Sequence, residues 1–153
     1  MWRVLLTLMT VAGLWAVCTQ PVDPHTEVDK AEKQWRTQGI TSYHLEVRVV
    51  NSIWHVQSHQ LNVRDSEVVD TTAYCYPTPT EGNQCEVEEF NAEDFTVEGL
   101  FSQARSQIQN QEERWRQIDF DPTYGFPNFI WFDDPDVYDD DGGWIVGTFQ
   151  VLE

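Results

Sequence analysis

Apolar positions Val28, Ala31 and Trp35 recur at spacings of three and four until Gly39, the period of an amphipathic helix, and Thr26 stands where such a helix is capped. At Ile40 the period drops to two. Tyr43, Leu45, Val47 and Val49 share one face and His44, Glu46 and Arg48 the other, which predicts a half-buried antiparallel strand. Asn51-Ser52 then supplies a turn, residues 53–63 read as a second strand with a phase slip near Ser58, and Arg64-Asp65-Ser66 turns into a third strand over residues 67–74.

The helical period returns after Thr96, which is placed to cap a stripe of Val97, Leu100, Phe101, Ala104 and Ile108. Two further strands, residues 115–120 and 127–132, flank Asp121-Pro122-Thr123-Tyr124-Gly125, and residues 144–151 form the last. Consecutive strands are joined by turns too short for a crossover helix, which disfavours a parallel sheet. The pattern predicts an α+β fold: an antiparallel sheet of about six strands with two helices packed on one face, in the order α-β-β-β-α-β-β-β. That order hints at two similar halves.

Composition narrows the function. With 26 acidic against 9 basic side chains the formal net charge is −17, so neither nucleic acid nor an anionic membrane surface is a partner for this chain. At 41% hydrophobic and 13% aromatic residues it nonetheless carries too much apolar surface for a disordered acidic polymer.

Arg3, an apolar stretch over residues 4–17 and a polar segment after it have the layout of a signal peptide, the run being too short for a membrane span. The chain therefore divides into a signal peptide over residues 1–18, a polar tether over 19–26 and a single α+β domain over 27–153. Cys18 lies where a lipoprotein signal places its acylated cysteine. Val17 departs from the small residue usual before that cysteine, and Ala16 with Cys18 also suits ordinary cleavage, so anchored and secreted forms both stand. In either form Cys75 and Cys85 remain as an even pair, and in an oxidising compartment they are expected to form a disulfide bond. Zinc is the weaker reading, because two thiols with no nearby His do not complete a tetrahedral site.

Trp35, Ile40-Thr41-Ser42-Tyr43, Asp65-Ser66-Glu67-Val68-Val69, Phe95-Thr96-Val97-Glu98-Gly99-Leu100-Phe101 and Phe120-Asp121-Pro122-Thr123-Tyr124-Gly125-Phe126-Pro127 together resemble an exported bacterial family catalogued as domain of unknown function 6174. The resemblance spans roughly residues 29–151. It implies a lipoprotein signal ending at Cys18 and brings no activity, so it assigns no catalytic residue. Its motifs look structural, with Pro122 and Gly125 in a tight turn and aromatic residues beside them in the core.

Other constellations carry little chemistry. His25, His44, His55 and His59 include no helical metal motif, and His55 and His59 on one strand lie about 13 Å apart at about 3.3 Å per residue. One route to an imidazole pair is His44 opposite His55 on adjacent strands. No Gly-x-Ser-x-Gly elbow is present, and paired carboxylates are too common in so acidic a chain to mark a glycosidase. Trp35, Trp54, Trp115, Trp131 and Trp144 read as core before they read as a carbohydrate platform. The acidic run holds Asp133, Asp134, Asp136, Asp139, Asp140 and Asp141, six carboxylates in nine positions. It does not fit an EF-hand register, and it reads as a solvated connection first and a weak calcium site second. These observations point to an exported, non-catalytic binding domain for an extracellular protein or small ligand, with a hydrolase of unrecognised site or a calcium-stabilised structural module as alternatives.

Overall fold

The computed structural model describes residues 23–52, 55–76, 86–109, 115–133 and 141–153. Helix α1 (Pro24–Gln38) leads into strands β1 (Tyr43–Ser52), β2 (His55–Arg64) and β3 (Glu67–Cys75). A short 3-10 turn (Ala92–Phe95) and helix α2 (Val97–Gln109) follow, then β4 (Trp115–Phe120), β5 (Pro127–Asp133) and β6 (Gly142–Val151). All six strands form one antiparallel sheet in the order β3-β2-β1-β6-β5-β4. Each half contributes three adjacent strands, but the first half places its first strand at the centre and the second half its last. The strand order therefore does not repeat, and the suggestion of two equivalent halves fails.

α1 starts earlier than its apolar stripe. Asp23, not Thr26, is the cap: its carboxylate accepts the His25 N–H at 3.2 Å, and Pro24 occupies the first helical position, where a missing N–H costs nothing. Pro24 to Thr26 thus belong to the helix rather than to a tether. Gly39 ends it in the left-handed conformation, φ +64°. Thr96 does cap α2, its hydroxyl accepting the Gly99 N–H at 3.0 Å.

Differences in the strands are equally local. β1 runs through Ser52, so Asn51-Ser52 is strand rather than turn, and the irregularity lies between Val50 and Ser52. No slip occurs at Ser58; pairing is regular from Val50–Val56 to Tyr43–Val63. Alternation looks broken there because Gln57 and His59 are buried on the helix side while Ser58, on the other face, is buried beside the Glu46 carboxylate. The β2–β3 hairpin turns on Asp65 and Ser66, with φ +50° and +67°, and is pinned to the entrance of β1 by Ser66 N–H to Thr41 O at 2.8 Å and Asp65 N–H to Ser42 Oγ at 3.2 Å.

Both helices pack on one face. The core joins Val28, Ala31 and Trp35 of α1 and Val97, Leu100, Phe101 and Ala104 of α2 to Tyr43, Leu45, Val47, Val49, Leu61, Val63 and Ile130 of the sheet. Trp35 is its centre, edge-on to Tyr43, Phe126 and Phe149 with ring centroids 5.7, 6.1 and 5.8 Å away. Arg105 of α2 clamps the helices together through Asp29, at 2.7 Å, and Glu32.

Candidate functional site

The opposite face of the sheet carries no helix among the described residues. Strand alternation turns Glu46, Arg48, Ser58, Gln60, Tyr74 and Tyr76 outward on the β1–β3 side, and Phe129, Trp131 and Ile145 outward on the β5–β6 side. At its middle sits Glu46, only 9% exposed. Its Oε1 accepts from Ser58 Oγ at 2.8 Å and from Arg48 Nε and Tyr74 OH at 3.4 Å each, while Gln60 donates to the Tyr74 hydroxyl at 3.3 Å. Burial alone pushes the Glu46 carboxyl upward, but the hydrogen bonds from Ser58 and Tyr74 and the charge of Arg48 outweigh it and hold it below the ordinary carboxylate range. Arg48 also lies 4.3 Å from the ring centroid of the exposed Tyr76. On the other side, Phe129 and Trp131 lie parallel, centroids 5.9 Å apart and planes 9° apart, both half-buried.

Ser58 and His59 do not form an acyl-transfer relay. The Ser58 hydroxyl is fully buried and donates to a carboxylate, while its neighbour His59 faces the opposite side of the sheet, so no Ser–His relay forms here. What the face offers is a fixed cation held over an aromatic ring, a buried anion and a flat aromatic pair. The sequence pattern had marked Glu46 and Arg48 only as the polar side of a strand. Their partners Ser58 and Tyr74 come from strands whose register a single sequence does not reveal.

The histidines do not assemble. His44 pairs across the ladder with Asn62, its Nδ1–H donating to Asn62 Oδ1 at 3.0 Å, whereas His55 is opposite Ser52 at the far end of the same hairpin, so the His44–His55 pair does not exist. His59 is 2% exposed, stacked on Phe95 at 3.9 Å and edge-on to Phe90 at 4.6 Å, and its Nδ1 has no hydrogen-bond partner among the described residues. Burial pushes its pKa down to about 4, so it is neutral at pH 7. His25 is exposed in the first turn of α1.

Cys75 is buried at the end of β3, while Cys18 and Cys85 lie outside the described residues. Asp133 ends β5 and Asp141 precedes β6, both half-buried, and Asp134, Asp136, Asp139 and Asp140 are likewise outside them. Among the described residues no group of three or more His, Cys, Asp or Glu side chains is placed to hold a metal ion. Of the tryptophans, Trp35 is core and Trp144 packs against it, whereas Trp131 faces outward. No described helix is long and apolar enough to cross a membrane.

The sequence segments that carry the resemblance touch one another in the fold. Thr41 and Ser42 hold Asp65 and Ser66, and Trp35 and Tyr43 both bond to Glu98. The segment containing Asp121 docks on α1, where Gln34 Nε2 donates to the carbonyls of Pro122 and Thr123 at 3.2 Å. Residues 27–151 match the model of a family of unknown function, DUF6174, and the chain belongs to that family. No curated protein and no solved structure matches it.

Proposed function

We propose that this DUF6174 domain is an exported, non-catalytic binding module of the bacterial envelope, anchored through acylated Cys18 or released by cleavage there, and stapled by a Cys75–Cys85 bridge. Its partner is an extracellular protein or a small ligand, bound on the helix-free face of the sheet. One observation carries the reading: that face combines the Arg48–Tyr76 pair, the Glu46 network and the stacked Phe129–Trp131 rings on a rigid antiparallel frame. Aromatic rings and arginine are enriched where proteins bind one another, because they bury large areas at low entropy cost. The short apolar run before Cys18 supports export.

Photo-crosslinking in the native host tests this. A photoreactive residue replacing Ile145 on the open face should give one discrete adduct, and the same residue replacing exposed Lys33 on α1 should give none. Equal labelling from both positions would refute the assignment of the face. A hydrolytic turnover that disappears in Glu46→Gln would refute the non-catalytic reading, and a soluble cytoplasmic protein starting at Met1 would refute export.

A further inference from the structure

β4 is an edge strand: the sheet order ends on it, and no described strand lies beyond. Asp121 N–H donates inward to Phe126 O at 2.8 Å. Backbone groups alternate along a strand, so the N–H and C=O of Ile118 and Phe120 point away from β5, toward a place where another strand would add. Above that edge, on the helix side, two adjoining hollows of about 310 and 410 Å³ share Glu27, Ile118 and Phe120. Together they make a groove between α1 and β4. Its floor is apolar, with Val28 and Ala31 from α1, Ile108 from α2, and Ile118 and Phe120 from β4.

We infer that this groove receives an extended, basic peptide segment of a partner protein, which adds to β4 as a seventh strand. The groove lies on the helix side of the sheet and meets the helix-free face only at Asp119, opposite Phe129, so it is tested on its own by the peptide's protection of Ile118 and Phe120. The pattern of the peptide follows from β4 itself. A residue opposite Ile118 or Phe120 turns its side chain into the groove and is apolar, whereas the residue between them lies opposite Asp119, on the outer side, where a Lys or Arg is favoured. The rim agrees in sign: Glu27, Asp119 and Asp121 outnumber Lys30 and Arg116, and no Lys or Arg follows Arg116 in the chain. A net charge of −17 draws basic segments toward the domain and opposes the alternative occupant, a second copy whose β4 would bring its own Asp119 to the same edge. At about 3.4 Å per residue, the five positions from Arg116 to Phe120 fit a peptide of roughly five to seven residues. Main-chain hydrogen bonds then supply affinity and the alternating pockets supply selectivity.

The probe is a fluorescein-labelled heptapeptide, Val-Lys-Val-Arg-Val-Lys-Val, titrated against the mature full chain at about 0.15 M salt, with amide hydrogen exchange read in parallel. Saturable binding is expected, with slowed exchange at Ile118 and Phe120. The same peptide with Glu at its basic positions should not bind, and one with Pro in place of either Val flanking the central Arg, whose N–H faces Ile118 or Phe120 in an antiparallel addition, should bind more weakly. Asp119→Lys, an exposed change that leaves the core intact, should weaken the basic peptide by roughly three- to tenfold. Protection at β3 instead of β4, equal binding of the Pro peptide, or an unchanged affinity in Asp119→Lys would overturn the inference. So would slow exchange of Ile118 and Phe120 already present in the free monomer, or a dimer in sedimentation that Asp119→Lys dissociates, since the groove would then be filled by the chain itself or by a second copy.

Discussion

Trp35 on α1 donates its indole N–H to the Glu98 carboxylate on α2 at 3.1 Å, joining the two helices above the centre of the core. The Tyr43 hydroxyl reaches the same carboxylate at 3.4 Å and accepts the Val97 N–H at 3.2 Å, which satisfies a donor in the first turn of α2. Burial raises the Tyr43 pKa well above its ordinary value, so this phenol stays protonated throughout the physiological range.

Removing the shared acceptor should therefore cost more than its exposed position suggests. Glu98→Ala leaves the indole N–H of the 3%-exposed Trp35 without a partner, and a buried orphan donor costs about 1–3 kcal/mol. Glu98→Gln keeps an acceptor and should cost less than about 1 kcal/mol. Urea melts of the two variants check this. Equal stabilities would mean that water replaces the carboxylate freely.

Gly125 sits in the turn between β4 and β5 with φ +86°, and a Cβ there would meet Ala31 O at 2.7 Å and Gln34 Cβ at 2.9 Å. Left-handed backbone costs a non-glycine residue roughly 1–2 kcal/mol, and here the clash with α1 adds to it. Gly125→Ala should destabilise by about 2 kcal/mol or more. Because the turn is held to α1 by Gln34 and Gln38, the same change should speed exchange of the Asp121-to-Phe126 amides before those of β1. A melting temperature within a degree of the parent would contradict the docking of this turn.

Local signals made much of this legible. The period of three and four in Val28, Ala31 and Trp35, the alternation from Tyr43 to Val49 and the cap at Thr96 are properties of neighbouring residues, and the α+β order follows from them. What depends on distant pairing was not legible. The burial of His59 comes from Phe90 and Phe95, some thirty residues on, and the Glu46 network needs the β1–β2–β3 register. Asp23 was missed as a cap because the helix begins with a polar turn, ahead of any hydrophobic periodicity.

The proposed Cys75–Cys85 bridge is open to direct measurement. Cys75 is 6% exposed at the end of β3, where a covalent link would tie the edge strand to the residues that follow. Non-reducing peptide mapping of the natively exported protein should find Cys75 and Cys85 in one linked fragment. Cys85→Ser should cost about 2–5 kcal/mol, the usual range for a native disulfide in a small exported domain. Two alkylatable thiols in that protein would rule the bridge out.

His59 gives the fold a pH dependence whose sign is determined by its burial. Its folded pKa is about 4 against an ordinary 6.5, so between those values the unfolded chain binds more protons than the native one. Stability from this group is therefore fully present above pH 6.5 and is lost as pH falls toward 4. At about 1.4 kcal/mol per pKa unit the loss is about 3 kcal/mol. Glu88, Glu89 and Asp94 line the same hollow and favour the protonated ring while they are ionised, but the apolar walls of Phe90 and Phe95 dominate. Glu46 acts in the same direction lower down, since its depressed pKa means stability lost as pH falls through the carboxylate range. The two are separated by His59→Phe, which removes the titrating ring and keeps an aromatic side chain against Phe95. Denaturant melts from pH 7 to pH 4 should show a steeper loss in the parent than in this variant, with the difference opening between pH 6.5 and 4. Parallel curves over that interval would mean that the imidazole finds a proton-accepting partner in the folded state and is not held neutral by burial.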